Sequence, residues 1–453
     1  MPKVIKIKKG LNIPLAGAAD LVIERVPLSD YYAIRPADIH GVVPKMMVQE
    51  GEEVKAGTPL FFDKNNEKVI FTSPVSGVFA EVVRGERRRI MEVVVKSNGK
   101  NEFVEFGRAQ LHDLSREEIV DKLLKSGTWP FIRQRPFSII ANPADIPKAI
   151  FVSAFNSTPL AADLDFVASF DELDFQTGLD AVARLTNGKV HLSVDALNTK
   201  LQAFLGARNV EIHHFEGLHP AGNVGTQIHH IMPINKGEKV WYVSVQDLIV
   251  IGRLFNQGVY DATRLVALVG PEVSKPRYYK MISGARITPA VSGNVKGSHD
   301  SDLRFISGDV LTGTKIEASG YLGFYDNMIS VIKEGNQPEF MGWLLPNLNR
   351  FSISRTLPSF LMPGKKYSLD TMLRSAERPF VMTGIYEKVM PMDILPMQLI
   401  KAIMINDIDR MELLGIYEVA PEDFALCEFV CPSKIEFQTI VRDGLDAIRK
   451  EFA

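Results

Sequence analysis

The sequence predicts a multidomain α/β chain, because three stretches of contrasting pattern follow one another along it. Short β-branched strands fill the first hundred residues, strands alternate with helices in the middle, and amphipathic helices dominate the end. At 453 residues the chain is several times longer than a typical domain, so we expect about three or four separate cores. A hydrophobic fraction of 46% and a charged fraction of 23% are typical of a folded protein.

Composition also excludes several functional classes. The chain has 52 Lys and Arg against 54 Asp and Glu, so a broad basic face for nucleic acid is not expected. Two cysteines are too few for a disulfide scaffold, or for a four-cysteine iron–sulfur cluster held by this chain alone. The first ten residues do not resemble a signal peptide, and no window offers the roughly 20 uninterrupted apolar residues of a membrane-spanning helix.

The first domain, predicted over residues 1–105, consists of two matched halves. GVVPKMMVQEGEEVKAGTPLFF and KVIFTSPVSGVFAEVVRGERRRIMEVVV each combine short strands with a glycine turn. They resemble the barrel-sandwich domain of biotinyl and lipoyl carriers. A carrier needs a lysine in an MKM or DKA setting at the hairpin tip, whereas FDKNNEKV offers Lys64 and Lys68 in neither. We therefore expect the shape of the domain without the modified lysine.

The second domain, predicted over residues 106–280, alternates strands and helices. Ser115 and Glu118 form a capping box for a helix that ends at Gly127, and a further helix is expected from Asp195 to Gly206. The β-α-β-α-β order predicts a parallel sheet with crossover helices. A flavin or nicotinamide site here would need a glycine-rich loop after the first strand, and the segment VSAFNSTPLAADLDF contains no glycine.

The remaining sequence predicts two smaller units. Short strands and glycines over residues 281–345 indicate a β-rich domain, and residues 346–453 combine an irregular bridge with short helices. The last helix is predicted from about Phe437 to Lys450. Cys427 and Cys431, in CEFVCPSK, are expected to be buried structural residues.

One glycine-rich loop and one group of histidines are candidates for ligand binding. In EGLHPAGNVGTQIHH, the residues that could approach a ligand are His219, Gly222, Asn223 and Gly225, although a simple bend after a buried strand is the alternative. Five of the nine histidines lie between residues 213 and 230. Adjacent residues on a strand point to opposite faces, so neither His213–His214 nor the next histidine pair should converge on a metal. We expect no metal site and no autonomous catalytic residues.

Five strings in order carry a family resemblance: IKKGLNIPLAG, GVVPKMMVQEGEEVKAGTPLFFDK, EGLHPAGNVGTQIHHI, LRFISGDVLTG and CEFVCPSK. Together they resemble the NqrA family, the A subunits of sodium-translocating NADH:quinone reductases, over essentially the whole chain. The chain is more distantly similar to the C subunit of the Rnf complex and to the flavin subunit of respiratory complex I. The resemblance implies a barrel-sandwich, a complex I flavin-domain-like α/β domain, an SLBB-type β-grasp domain and a helical C-terminal domain.

The resemblance also implies a function. The complex has six subunits and passes electrons from NADH through FMN, FAD, riboflavin and an iron–sulfur centre to quinone, while it exports sodium. Members of the NqrA family are implied to be peripheral, on the cytoplasmic side of the bacterial inner membrane, seated chiefly against the membrane flavin B subunit, and without a redox cofactor of their own. A self-contained flavoprotein oxidoreductase built on the α/β domain is the alternative.

The family further implies a quinone at or near this chain. A quinone headgroup needs an aromatic or apolar slot with one or two hydrogen-bond donors. Two segments offer that mixture, and ordinary loop packing is the alternative for both. The quinone-proximal candidates are Tyr32, Arg35 and His40 in SDYYAIRPADIHG, and Trp129, Phe131 and Arg133 in WPFIRQRPF.

Overall fold

The computed structural model describes residues 3–296, 300–336, 347–373 and 378–451. Within these residues the strands form sheets of seven, six, four and three strands, and most helices lie in the middle and at the end of the chain. This arrangement confirms the predicted multidomain α/β class. None of the helices in these ranges is long and apolar enough to cross a membrane.

The barrel-sandwich is built from the four-stranded and the three-stranded sheets. Its core contains Leu60, Phe61, Phe71 and Val93, all at or below 1% exposure, which explains why the two halves stay closed on each other. The hairpin that would carry a modified lysine in a carrier domain turns at residues 64 and 65. The strands are Tyr31–Ile34, Pro44–Met46, Glu53–Val54, Pro59–Asp63, Asn66–Thr72, Gly77–Arg84 and Ile90–Ser97.

Two N-terminal strands lie outside the barrel-sandwich, although the predicted range 1–105 includes them. Val4–Ile7 pairs in parallel with Glu211–Gly217, at the edge of the seven-stranded sheet. Asp20–Arg25 pairs in parallel with Arg277–Ile282, at the edge of the six-stranded sheet. An alternating pattern identifies a strand but not its partner, so these long-range pairings were not predictable from the local sequence.

The α/β domain contains the seven-stranded sheet, in which two further strands, each antiparallel to its neighbour, extend one edge of five parallel strands. Ser115 and Glu118 form the predicted capping box, and Gly127 ends the helix in a left-handed conformation. The predicted helix from Asp195 is wrong: the Asp195 carboxylate accepts the Leu197 N–H in a turn, and only Gln202–Leu205 is helical. In spatial order the strands are Val4–Ile7, Glu211–Gly217, Val190–Asp195, Ile150–Ser153, Val240–Ser244, Arg133–Arg135 and Ile139–Ile140. The helices are Arg116–Ser126, Leu164–Ala168, Glu172–Ala183, Gln202–Leu205, Val224–Ile231 and Val245–Gln257.

The six-stranded sheet forms the β-rich domain, and the C-terminal helices have a hydrophobic core of their own. Thr263–Val269 belongs to this sheet, although the predicted range 106–280 assigned it to the α/β domain. The boundary predicted at residues 345 and 346 lies outside the described residues. The remaining strands of this sheet are Leu303–Ser307, Thr314–Ile316 and Met328–Lys333. The other helices are Thr288–Val291, Pro396–Met404, Ile408–Leu413, Ala425–Val430 and Phe437–Glu451. Short 3-10 turns lie at Pro36–Asp38, Glu86–Arg88, Leu111–Asp113, Trp129–Phe131, Asp300–Asp302, Pro358–Leu361, Tyr386–Lys388, Ile416–Glu418 and Pro421–Phe424.

Two glycines let the helices Glu172–Ala183 and Val245–Gln257 cross with their backbones in contact. A Cβ atom added to Gly178 would lie 2.1 Å from the Leu248 carbonyl oxygen, and one added to Gly252 would lie 1.8 Å from the Asp174 carbonyl oxygen. The crossing therefore excludes any side chain at either position.

Replacing Gly252 with alanine should destabilise the α/β domain, although alanine is the better helix former by about 1 kcal/mol. Overpacking against a backbone oxygen typically costs about 1–3 kcal/mol, so the Gly252→Ala variant should unfold at a lower urea concentration, followed by circular dichroism. Gly364→Ala is the control, because no described heavy atom lies within 4 Å of the added Cβ. Equal midpoints for Gly252→Ala and the unmodified chain would contradict the crossing.

Candidate functional site

A cavity of about 510 Å³ lies where the four domains meet. Ser153 and Ser244, which end two neighbouring parallel strands, open onto it, so it lies at the carboxyl edge of the α/β sheet. This edge is where ligands bind in open α/β sheets. The lining comes from the barrel-sandwich (Asp38, Ile39, His40), the α/β domain (Arg133, Ser138, Ile139, Ile140, Ser153, Thr158, His219, Asn223, Val224, Tyr242, Val243, Ser244), the β-rich domain (Thr312, Tyr325) and the C-terminal domain (Pro421, Glu422, Gln438, Arg442).

Arg133 lies between two tyrosine rings in the wall of the cavity. Its guanidinium carbon is 4.5 Å from the ring centroid of Tyr242 and 4.5 Å from that of Tyr325. The Tyr325 hydroxyl donates to the Pro130 carbonyl oxygen at 2.8 Å. The Tyr242 hydroxyl is buried and has no hydrogen-bond partner among the described residues. A buried hydroxyl without a partner costs free energy, which makes Tyr242 the natural donor to a ligand.

Arg135, two residues along the same strand, joins the α/β sheet to the C-terminal domain. Its side chain is fully buried, and its guanidinium donates to Asp423 Oδ2 at 2.5 Å and to Glu422 Oε1 at 2.6 Å. Burial raises the pKa of Asp423, and Arg135 only partly offsets that effect. Burial also pushes the pKa of Glu422 upward, but the nearby arginines, chiefly Arg135, leave it below its ordinary value.

The loop that carries His219 is fixed by hydrogen bonds to other residues of the chain. Nδ1 of His219 lies 3.2 Å from Ser157 Oγ, which also accepts the Gly222 N–H at 2.8 Å. Burial lowers the pKa of His219 to about 4, so its imidazole is neutral near pH 7. A Cβ at Gly222 would lie 2.5 Å from the Phe155 carbonyl oxygen, and one at Gly225 would lie 2.5 Å from both carboxylate oxygens of Asp423. Both glycines are thus required by packing within the chain.

The barrel-sandwich contributes an acidic and an imidazole group to the cavity. Nε2 of His40 is 2.7 Å from Oδ1 of Asp446 in the last helix. Burial raises the pKa of Asp38 to about 6, and the Arg35 guanidinium, 3.5 Å away, only partly opposes that rise. Asp38 therefore exchanges its proton close to neutral pH, which is unusual for an aspartate.

The structure brings together four of the predicted site residues, from three segments that the sequence did not connect. His40 and Arg133, predicted near a quinone, and His219 and Asn223, predicted in a ligand loop, all line the cavity. Arg35 does not line it and pairs with Asp38.

Three aromatic candidates lie in the core instead of the cavity. Tyr32 is 1% exposed, and Trp129 and Phe131 are fully buried. The Trp129 indole N–H donates to the Ala141 carbonyl oxygen at 2.8 Å, and Phe131 stacks on Phe324 with centroids 5.3 Å apart. These rings shape the fold behind Arg133 and have no free face for a ligand.

Comparison with known proteins assigns the family. Residues 5–98 match the NqrA N-terminal barrel-sandwich hybrid domain, residues 114–260 the NqrA second alpha/beta domain, and residues 265–318 the NQRA C-terminal domain of the SLBB type. The A subunit of the Na(+)-translocating NADH-quinone reductase of Yersinia pestis is 40% identical, and that of Neisseria meningitidis is 42% identical. Each alignment covers 99% of this chain and 100% of the relative. The chain belongs to the NqrA family.

Among solved structures, an NAD+-reducing nickel–iron hydrogenase matches at 13% identity with a TM-score of 0.40. The match covers 75% of this chain and 61% of the hydrogenase chain.

Several cavity residues of this NqrA-family chain carry no recognisable sequence signal. Tyr242 lies in an apolar strand and Tyr325 follows Gly323, whereas Glu422 and Arg442 lie roughly 180 and 200 residues after Tyr242 in sequence. Each is an ordinary residue in its own segment. They line one cavity only because the four domains meet there.

Two of the histidines and both cysteines that the sequence singled out have partners within the chain. His229 and His230 lie on the helix Val224–Ile231, so the strand argument that separated them was wrong. Nδ1 of His229 is 2.7 Å from Glu418 Oε2, and Nδ1 of His230 is 2.8 Å from the Thr226 carbonyl oxygen. Cys427 and Cys431 are buried free thiols, as predicted, and the Tyr386 hydroxyl lies 3.1 Å from Cys431 Sγ.

The buried His219 should make the NqrA-family fold sensitive to acid. The pKa of His219 is about 4 in the folded chain and about 6.5 in the unfolded chain. The contribution of the neutral His219 to folding stability is therefore complete above pH 6.5 and is lost as the pH falls towards 4. In thermal melts from pH 7 to pH 5, the unmodified chain should lose more stability than His219→Gln, by about 2 kcal/mol at most. His112→Gln is the control, because the His112 side chain is 78% exposed. Parallel losses in the unmodified and His219→Gln chains would contradict this assignment.

Proposed function

We propose that this chain is a peripheral component on the cytoplasmic side of a bacterial inner membrane, in a complex that oxidises NADH, reduces quinone and exports sodium. The names of its relatives, which align over their full length, support the reaction. In this proposal the chain sits chiefly against the membrane flavin B subunit and holds no redox cofactor. FMN, FAD, riboflavin and the iron–sulfur centre then belong to the other subunits.

The role of the chain within that complex is to receive a quinone headgroup in the four-domain cavity. The observation that carries this proposal is the unpartnered Tyr242 hydroxyl beside Arg133, in a cavity of about 510 Å³. A quinone headgroup is a flat, uncharged ring with two carbonyl acceptors. The tyrosine hydroxyl and the guanidinium supply donors, and the volume falls in the range of small-molecule sites.

The charges around the cavity favour a neutral ligand over a nucleotide. The helix Val224–Ile231 begins at the cavity, and its amino end is the natural place for a phosphate group. The Asp423 carboxylate lies beside that end, because a Cβ added to Gly225 in the first helical turn would be 2.5 Å from both of its oxygens. Asn223 Nδ2 also donates to the Glu422 carbonyl oxygen at 3.3 Å. A phosphate there would meet two carboxylates, which supports a site without a dinucleotide.

The contacts of Ser153 support the absence of a flavin phosphate from the α/β domain. In the more distant relatives that the resemblance names, a glycine-rich loop after the first strand of the α/β domain holds the flavin. Here Ser153 ends that strand, and its hydroxyl oxygen lies within hydrogen-bonding distance of the Phe155 and Gly222 carbonyl oxygens, at 2.8 and 3.1 Å. The backbone after the strand is therefore engaged with the His219 loop.

Removing the Tyr242 hydroxyl should weaken quinone binding. One lost hydrogen bond of about 1 kcal/mol corresponds to about fivefold in the dissociation constant. Isothermal titration calorimetry of the full-length chain with ubiquinone-1 should show this loss for Tyr242→Phe.

The matched control is Tyr367→Phe. The Tyr367 hydroxyl is also buried and unpartnered among the described residues, but Tyr367 does not line the cavity. Equal affinities for the unmodified chain and Tyr242→Phe, or equal weakening in both variants, would refute the quinone assignment of this cavity.

The full-length chain, expressed alone, should be free of flavin. Denaturation and fluorimetry should release less than about one flavin per ten chains, and the chain alone should not oxidise NADH. When the whole complex is expressed, the chain should co-purify with the membrane flavin B subunit from the membrane fraction. Stoichiometric flavin on the isolated chain would instead favour the self-contained flavoprotein.

A further inference from the structure

A cluster of three ligand-type side chains lies on the α/β sheet, at the end opposite to the cavity. Glu211 and His213 belong to the strand Glu211–Gly217, and His191 belongs to its parallel neighbour Val190–Asp195. His191 pairs with Glu211 in register, and His213 follows two residues later. Lateral partners and residues two apart share one face of a sheet, so all three side chains lie on the same side.

The distances within this cluster fit a shared ion. Nδ1 of His191 is 2.9 Å from Nε2 of His213 and 3.6 Å from Oε2 of Glu211, and all three ligand atoms lie within 4.8 Å of one another. Tetrahedral zinc with ligands at about 2.0–2.1 Å keeps its ligand atoms about 3.3 Å apart. Small side-chain movements therefore suffice to place one ion among the three groups.

We infer that His191, His213 and Glu211 form a binding site for one divalent transition-metal ion of the zinc class. Two imidazoles and one carboxylate are a donor set that zinc accepts, with a fourth position left for water. His191 is 3% exposed, whereas the Glu211 side chain is 43% exposed, so the ion would reach the site from the Glu211 side.

The surroundings of the cluster set its expected strength. Phe151 stacks on His191 with centroids 4.8 Å apart and fixes the ring. Nε2 of His191 is buried and has no hydrogen-bond partner among the described residues, so the ring lacks the orienting contact that strengthens most metal histidines. Lys189 pairs with Oε1 of Glu211 and competes with the ion for that carboxylate. The site should therefore bind more weakly than a four-ligand structural zinc site.

The sequence predicted no metal site, because adjacent histidines on one strand point to opposite faces. His213 and His214 do diverge, but the partner of His213 comes from the next strand in the sheet. That pairing depends on the register of two strands about 20 residues apart, which the sequence does not reveal.

Metal titration of the tag-free, full-length chain after dialysis against EDTA tests the site. Co²⁺ should bind at one ion per chain with the absorption of a tetrahedral site, and Zn²⁺ should displace it. His213→Gln and Glu211→Gln should each weaken Co²⁺ binding at least about tenfold. His214→Gln is the matched control and should leave the affinity unchanged, because its side chain lies on the other face of the same strand.

A fourth variant separates the loss of a ligand from the loss of the fold. Lys189→Gln removes the competing cation from Glu211, so it should tighten Co²⁺ binding several-fold, which misfolding cannot produce. Three results would each overturn the site: no saturable binding to the unmodified chain, equal weakening by His214→Gln and His213→Gln, or unchanged affinity in Lys189→Gln.

Discussion

The buried ion pairs of Arg135 hold the domains of this chain in their relative places. Its guanidinium is fully buried, and Glu422 and Asp423 of the C-terminal domain neutralise it. Removing either carboxylate would leave the buried guanidinium uncompensated, at a cost of about 3–5 kcal/mol, so the sheet and the C-terminal domain are matched to each other at this contact. Arg133 points to the same side of the strand, because residues two apart share a face. The contact that joins the domains therefore also positions the wall of the cavity.

The helix start that faces the cavity lies beside a carboxylate of the chain itself. The Asp423 carboxylate lies close to Gly225 in the first turn of the helix Val224–Ile231, where the helix dipole favours negative charge. The C-terminal domain thus places a negative charge at the helix N-terminus, a position that can also bind an anionic ligand. The cavity wall also holds the pair of Arg133 and Tyr242, which suits the neutral ring with acceptor atoms proposed above.

Features that depend on local sequence were predictable, whereas features that depend on long-range pairing were not. The helix from Arg116 to Ser126 and the helix that begins at Phe437 followed from a capping box, a terminal glycine and apolar spacing. The first strand looked equally regular, but its partner is Glu211–Gly217. The cavity needed four domains to meet, so the sequence identified some of its residues, such as His40 and Arg133, without showing that they meet.

The pairing of Val4–Ile7 with Glu211–Gly217 also determines when the protein can finish folding as it is made. The first strand leaves the ribosome roughly 200 residues before its partner, which corresponds to at least about ten seconds at usual elongation rates. During that interval, Ile5 and Ile7 have no sheet to join. The lysines that alternate with them, Lys6 and Lys8, keep the unpaired strand hydrated and oppose its pairing with other nascent chains.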